Sequence, residues 1–322
     1  MSDASGAAAG PAARPIRKVV VCGAGAVGSS YVDRLLQLDP TLAAVLARGE
    51  RRARLEAHGL TVNGRSFAVP CTSGGEGTAP ADLVLVAVKQ HHLERAIEEL
   101  RGVVGPETIV VSLLNGITSE ARLAAAFGAE KVLYAFTLAN DVVRQGSSTR
   151  YSSIGKLVLG AATNDPADPR VLGVKALLER SGIPVVVPAD IHREQWWKFV
   201  LNVGVNQVSA VLRAPYRAFR EVPEVRELAR LACLEAVAVA QRSGIRLGPE
   251  DVERIFPILD GLAPDGKTSM LQDVEAGRKT EVELFAGTVT ALGARHGVPT
   301  PVNAVLGMLI RALEQLAPAA ER

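Results

Sequence analysis

Aromatic residues are scarce, at 4% of 322 positions, so any core has to be built from Val, Leu, Ile and Ala. Net charge is small: 36 Lys and Arg stand against 34 Asp and Glu, a formal +2. That balance argues against nucleic-acid or membrane binding through bulk charge, so positive charge can matter only locally. Cysteine is also rare. Cys22, Cys71 and Cys233 lie far apart, show no Cys-x-x-Cys or His-rich spacing, and are odd in number. Such a set does not make a disulfide framework or a structural zinc site; no metal is expected, and a reducing, cytoplasmic setting fits. No run approaches the ~18 apolar residues of a transmembrane helix. Residues 1–15, mostly Ala, Gly, Ser and Pro, lack the basic start and apolar stretch of a signal peptide and read as a disordered tail.

What is present suits a globular enzyme: 48% hydrophobic and 22% charged residues, over a length that suggests two domains of roughly 100–200 residues each. Residues 18–22, 42–47, 83–88 and 108–113 are short β-branched apolar runs that read as buried strands, with helical stretches at 26–38 and 92–100. Asn63-Gly64 signals a type I′ turn, so 62–70 reads as a small hairpin. Further strands are expected at 132–140, 153–159 and 183–187. Beyond Pro188 the periodicity becomes helical. The prediction is an α/β Rossmann-type N-terminal domain over 16–188, with a doubly wound parallel sheet, and an all-α domain over 189–322.

Gly23-Ala24-Gly25-Ala26-Val27-Gly28 follows the first strand and opens the first helix. A glycine-rich turn can join any strand to any helix, but strand before and helix after is the context of a dinucleotide-binding loop. There Gly23 permits the turn, Gly25 lets backbone approach a pyrophosphate, and Gly28 lets the helix pack closely. At the end of the second strand an acid would select NAD, through the ribose 2′-hydroxyl, whereas arginine accommodates the 2′-phosphate of NADP. Arg48 stands at that point. Arg51, Arg52 and Arg54 follow on a helix and can equally be a solvated face, the reading preferred for Arg54. NADP, as NADPH, is the expected cofactor.

Lys198, Asn202 and Asn206 recur every fourth residue in an otherwise apolar helix, so they share one face. A solvated face usually carries several charges. One cation and two neutral amides on a buried helix are costly without partners, which favours a substrate-binding face.

These pieces, with Val88-Lys89, Asn115-Gly116, Ser269-Met270-Leu271-Gln272-Asp273 and Thr280-Glu281, occur in an order and spacing that resembles the ketopantoate reductase (2-dehydropantoate 2-reductase) family. The likeness extends from about Arg17 to about Leu313. It implies NADPH-dependent reduction of a small 2-oxo acid, with hydride delivered across a cleft between the two domains. Lys198 would be the general acid. Glu281 would accept a hydrogen bond from the substrate hydroxyl and help hold Lys198 charged, although a surface ion-pair ladder with Glu275, Arg278, Lys279 and Glu283 is its plain alternative. Asn115 would position nicotinamide and lysine; Asn202, Asn206 and Ser269 would grip the substrate. Lys89 would lie near the cofactor.

The chain departs from the family pattern at Gln207, where better-known members carry proline, and at Arg213-Ala214-Pro215-Tyr216, where an asparagine is common. Both departures favour a paralogue acting on a different small 2-oxo acid as the rival to ketopantoate. A non-catalytic NADP sensor ranks below both. No nucleic-acid or membrane partner is expected, and the apolar C-terminal helices suit either intrachain packing or a homodimer.

Overall fold

The computed structural model describes residues 15–75 and 77–316; all but the last residue of the expected tail lies outside them. Twelve strands form two sheets. The larger is built from β1 (Val19–Cys22), β2 (Ala43–Leu46), β5 (Cys71–Thr72), β6 (Leu83–Val86), β7 (Ile109–Ser112), β8 (Val132–Leu138), β11 (Lys156–Gly160) and β12 (Val185–Val186), in the order β12-β11-β8-β7-β6-β1-β2-β5. The smaller orders β4 (Arg65–Phe67), β3 (Leu60–Val62), β10 (Ser148–Arg150) and β9 (Val143–Gln145).

Residue alternation along β1 and β6 explains why the large sheet is covered on both sides. Val19, Val21, Leu83 and Leu85 belong to one core cluster, while Val20, Cys22, Val84 and Val86 belong to another. A strand buried on both faces reads as a continuous apolar run, as these do. The helices that supply the cover are α1 (Ala26–Leu38), α2 (Gly49–His58), α3 (Leu93–Leu100), α4 (Ser119–Phe127) and α5 (Pro169–Arg180). Burial pushes the Cys22 thiol up to about 12, which leaves it a packing group and not a nucleophile.

The sheet is parallel from β5 to β8, but β11 runs antiparallel to β8 before β12 resumes parallel to β11. The one antiparallel step within this parallel-dominated sheet has a physical reason. A parallel step needs a crossover, usually a helix, whereas the chain between β8 and β11 is taken up by the β9–β10 hairpin and simply turns back. The expected hairpin at Asn63-Gly64 is present, with both residues at positive φ, 49° and 80°, as a type I′ turn requires.

The chain divides into two compact units. One runs up to Leu114 and takes in Thr118–Ile191; the other consists of Asn115–Ile117 and the chain from His192 onward. The second unit is helical: α6 (Ile191–Leu212), α7 (Ala218–Glu221), α8 (Pro223–Arg242), α9 (Pro249–Glu253), α10 (Ile255–Asp260), α11 (Ser269–Glu275), a π-helical turn at Glu283–Gly287, α12 (Thr288–His296) and α13 (Pro301–Leu316). Its core gathers Phe199, Val203, Cys233, Phe256, Phe285 and Ile310, all essentially without exposure. Gly297 closes α12 in the left-handed conformation, directly after His296, as a glycine just past a helix end commonly does. Among the described residues no helix is long and apolar enough to cross a membrane.

Candidate active site

Backbone geometry shapes the candidate cofactor loop of the first unit. Gly23 has φ +106°, and a Cβ there would sit 2.6 Å from the carbonyl of Ala87 at the end of β6. A Cβ on Gly28 would meet the Gly23 oxygen at 1.8 Å, so the start of α1 can lie against the loop only without one. Gly25 differs: its nearest neighbour would be the Ala87 oxygen at 4.0 Å, leaving that backbone open to approach. Ala26 and Val27 are partly exposed there, and the first turn of α1 carries neither an acidic residue nor a side-chain cap. Its orphan N–H groups therefore point toward any anion brought to the loop, as a dinucleotide pyrophosphate requires.

Arg48 is exposed at the start of α2 and donates through Nε to the Ser73 carbonyl at 2.7 Å. Arg52 pairs with Glu56 at 2.7 Å on the helix surface. Arg54 is exposed, in keeping with a solvated face. With Arg51, His58, Ser147 and Ala24 it lines a cavity of about 170 Å³, which Arg144 of β9 closes. Arg144 donates to the carbonyls of Ala24 and Gly146, and burial together with Arg54 and Arg51 lowers its pKa. Sequence reasoning missed this residue, because β9 and β10 are short and polar and carry no apolar alternation. Lys89 caps the 3₁₀ turn Gln90–His92 just past β6 and is partly buried.

In the second unit side chains form the candidate face. Lys198, Asn202 and Asn206 share one face of α6. Asn202 and Asn206 are 4% and 7% exposed, yet no described residue hydrogen-bonds either amide side chain. Loss of hydration pulls the partly buried Lys198 down to about 8 from its usual 10.5. Burial alone is the cause of that shift. Glu281 accepts from Asn115 Nδ2 at 3.0 Å, across 166 residues of sequence. Its backbone carbonyl receives the amides of Leu284 and Phe285 where the π-helical turn begins. The charges of the alternative surface ladder are engaged elsewhere: Glu283 pairs with Arg311, Arg278 with Asp273, and Lys267 with Glu275.

Ser269 is exposed at the first position of α11, and the cap is Thr268, whose hydroxyl accepts from the Leu271 amide at 3.1 Å. Gln207 lies roughly opposite Lys198 around α6, fully buried. Its amide nitrogen donates to the Val203 carbonyl and to Asn303 Oδ1, and Asn303 is in turn held by Glu235 and the Ala232 carbonyl. Gln207 thus serves the packing of α6, α8 and α13 and does not share the Lys198 face.

Comparison with known proteins identifies the family. Residues 19–164 match the family described as ketopantoate reductase PanE/ApbA, and residues 190–314 match its C-terminal domain. The 2-dehydropantoate 2-reductase of Archaeoglobus fulgidus is 30% identical over 307 residues, spanning 93% of this chain and 98% of that protein. Among solved structures, the 2-dehydropantoate 2-reductase of Geobacter metallireducens superposes with a TM-score of 0.81 at 27% identity, over 92% of this chain and 99% of that one. A D-mandelate dehydrogenase in complex with NADH and anilino(oxo)acetate shares the fold, with a TM-score of 0.84 at 22% identity, over 92% and 98% of the two chains. The glycine loop, the Lys198 face and these matches along nearly the whole sequence place the chain in the ketopantoate reductase family of nicotinamide-dinucleotide-dependent oxidoreductases.

Proposed function

We propose that the chain is an NADPH-dependent reductase that converts 2-dehydropantoate (ketopantoate) to pantoate, toward pantothenate and coenzyme A. The carrying observation is Lys198, an ammonium whose pKa is lowered to about 8, on one helix face with two buried amides. A reduced nicotinamide supplies the hydride that the carbonyl carbon accepts. Lys198 Nζ polarises the carbonyl oxygen and gives it a proton as negative charge develops, a transfer that works best when the acid's pKa is near working pH. Asn202 and Asn206 offer amide N–H groups to the substrate carboxylate, which offsets the cost of keeping them buried. Asn115 holds the Glu281 carboxylate in a fixed orientation for a substrate hydroxyl. Ser269, exposed at the start of α11, would contribute a hydroxyl to the substrate, while Arg48, Lys89 and the Gly23–Gly28 loop hold the cofactor.

A second reading keeps this chemistry and changes the 2-oxo acid. Gln207 does not support it, being engaged in packing, but Tyr216 does. Its ring lies against Gly266, two residues before the α11 cap, and Tyr216 N–H donates to the Gly266 carbonyl at 3.0 Å. The test is oxidation of NADPH, with NADH in parallel, by purified protein offered ketopantoate and then a panel of 2-oxo acids. Fast turnover of ketopantoate with NADPH supports the first reading. Turnover of another acid alone moves the assignment to the second, and cofactor binding without turnover of anything supports a sensor. A homodimer fits as well: Val305, Met308 and Leu309 leave an exposed apolar stripe along α13 that a second copy would cover.

A further inference from the structure

The cavity between the glycine loop and α2 has no part in hydride or proton transfer. It is lined by Ala24, Arg51, Arg54, His58, Arg144 and Ser147 among others, with no carboxylate in its wall. Three guanidinium groups around one small hollow repel one another, and the half-buried Arg144 bears that cost: burial and the charges of Arg54 and Arg51 hold its pKa down. A cation cluster of this kind is stable when an anion sits among its members. At about 170 Å³ the hollow lies below the ~300–1,000 Å³ of a pocket that encloses a whole ligand, so it suits one terminal group.

Position identifies the group. Ala24 is part of the wall and also the second residue of the loop that faces a dinucleotide pyrophosphate; its carbonyl is held by Arg144. In a Rossmann half-site the adenosine ribose extends from that loop toward the end of the second strand. A phosphate on the 2′-oxygen would therefore enter this hollow. Arg48, the residue whose sequence position points to the 2′-phosphate, is not part of the wall, and its Nε is taken by Ser73.

We infer that Arg144, with Arg51 and Arg54, forms the receptor for the adenosine 2′-phosphate, and that the β9–β10 hairpin sets cofactor choice. Arg144 is anchored to Ala24 and Gly146 carbonyls at one edge, so its planar group is oriented before the phosphate arrives. The inference rests on the NADP reading, and the test separates the two.

Adenosine 2′,5′-bisphosphate and 5′-AMP, which differ only in the 2′-phosphate, are titrated by calorimetry against the wild-type chain, Arg144→Met and the Arg54→Gln/Arg144→Met pair. The wild type should bind the bisphosphate much the more tightly. Arg144→Met should cut that ratio by roughly tenfold, as expected for one charge-assisted hydrogen bond, and the pair should cut it further. Affinity for 5′-AMP serves as the internal check of folding and should stay the same; Arg144→Lys should recover part of the ratio. A wild type that does not distinguish the two nucleotides overturns the NADP reading, and the inference with it. A wild type that does distinguish them, with a ratio unmoved in both variants, leaves NADP standing and overturns the role given to Arg144 and its cavity.

Discussion

The glycine loop after β1 and the Lys198 face of α6 bind polar groups by opposite means. At the loop the chain removes side chains: Gly23 and Gly28 cannot carry a Cβ where they lie, and the binding groups are backbone amides. On α6 the backbone is an ordinary helix and the work passes to Lys198, Asn202 and Asn206, held where hydration is poor. Gly23 and Gly28 leave no room for a side chain, but the loop asks for no unusual electrostatics. The Lys198 face sets no such backbone demand, yet keeps an ammonium in a place that disfavours its charge. One part is constrained by shape and the other by desolvation, so they should fail differently when altered.

The largest effect should come from Lys198→Ala. Loss of a positioned general acid is expected to lower kcat by about 10²–10⁴-fold, with cofactor affinity, followed by nicotinamide fluorescence, unchanged. A variant that lost both equally would break the division of labour between loop and helix. Gly28→Ala should do the reverse. Its Cβ would have to displace the Gly23 carbonyl, costing about 1–3 kcal/mol in urea unfolding and weakening dinucleotide binding.

The pH profile sharpens the contrast. Lys198 must be protonated to act as an acid, so kcat/KM should fall as pH rises past about 8. Stability should move the other way over the same window. The unfolded chain keeps the lysine proton up to about 10.5 while the folded chain releases it near 8, so the unfolded state holds more protons between them and folding gains as pH rises. Thermal melts between pH 8 and 10.5 should show the gain in the wild type, and Lys198→Met should remove it. The smallest effect on catalysis is expected from Gln207→Leu. It leaves Asn303 Oδ1 without its donor and should cost about 1–3 kcal/mol of stability with turnover unchanged; an altered preference among 2-oxo acids would return Gln207 to the substrate site.

Legibility in the sequence follows the same division. The loop, β1, β6 and β7 can be read because steric need and two-sided burial leave fixed residue types at fixed spacing. The Lys198 face can be read from the cost of burying amides. The β9–β10 hairpin cannot, since Ser148–Arg150 is held by pairing with distant β3, Val143–Gln145 pairs in turn with Ser148–Arg150, and neither carries an apolar pattern. Arg144 stays hidden with it, and nothing near Arg54 in sequence shows the wall it faces, which comes from another part of the chain. The pairing of Asn115 with Glu281 is equally beyond local reading: the family resemblance names both residues, but nothing nearby in sequence shows that they bond to each other.

That pairing bears on how the protein is made. Asn115–Ile117 belong to the unit formed mainly by the chain from His192 onward, and a Cβ on Gly116 would press on Leu284. At a synthesis rate of ~5–20 residues per second, Asn115 leaves the ribosome on the order of ten seconds before Glu281 is added. The β1–β7 framework can form in that interval, but the three residues after it must wait with their partners unmade. A nascent chain stopped between Ile191 and Glu281 therefore carries a finished glycine loop and an unfinished acid–base site, so it would bind a nucleotide well before it could reduce anything.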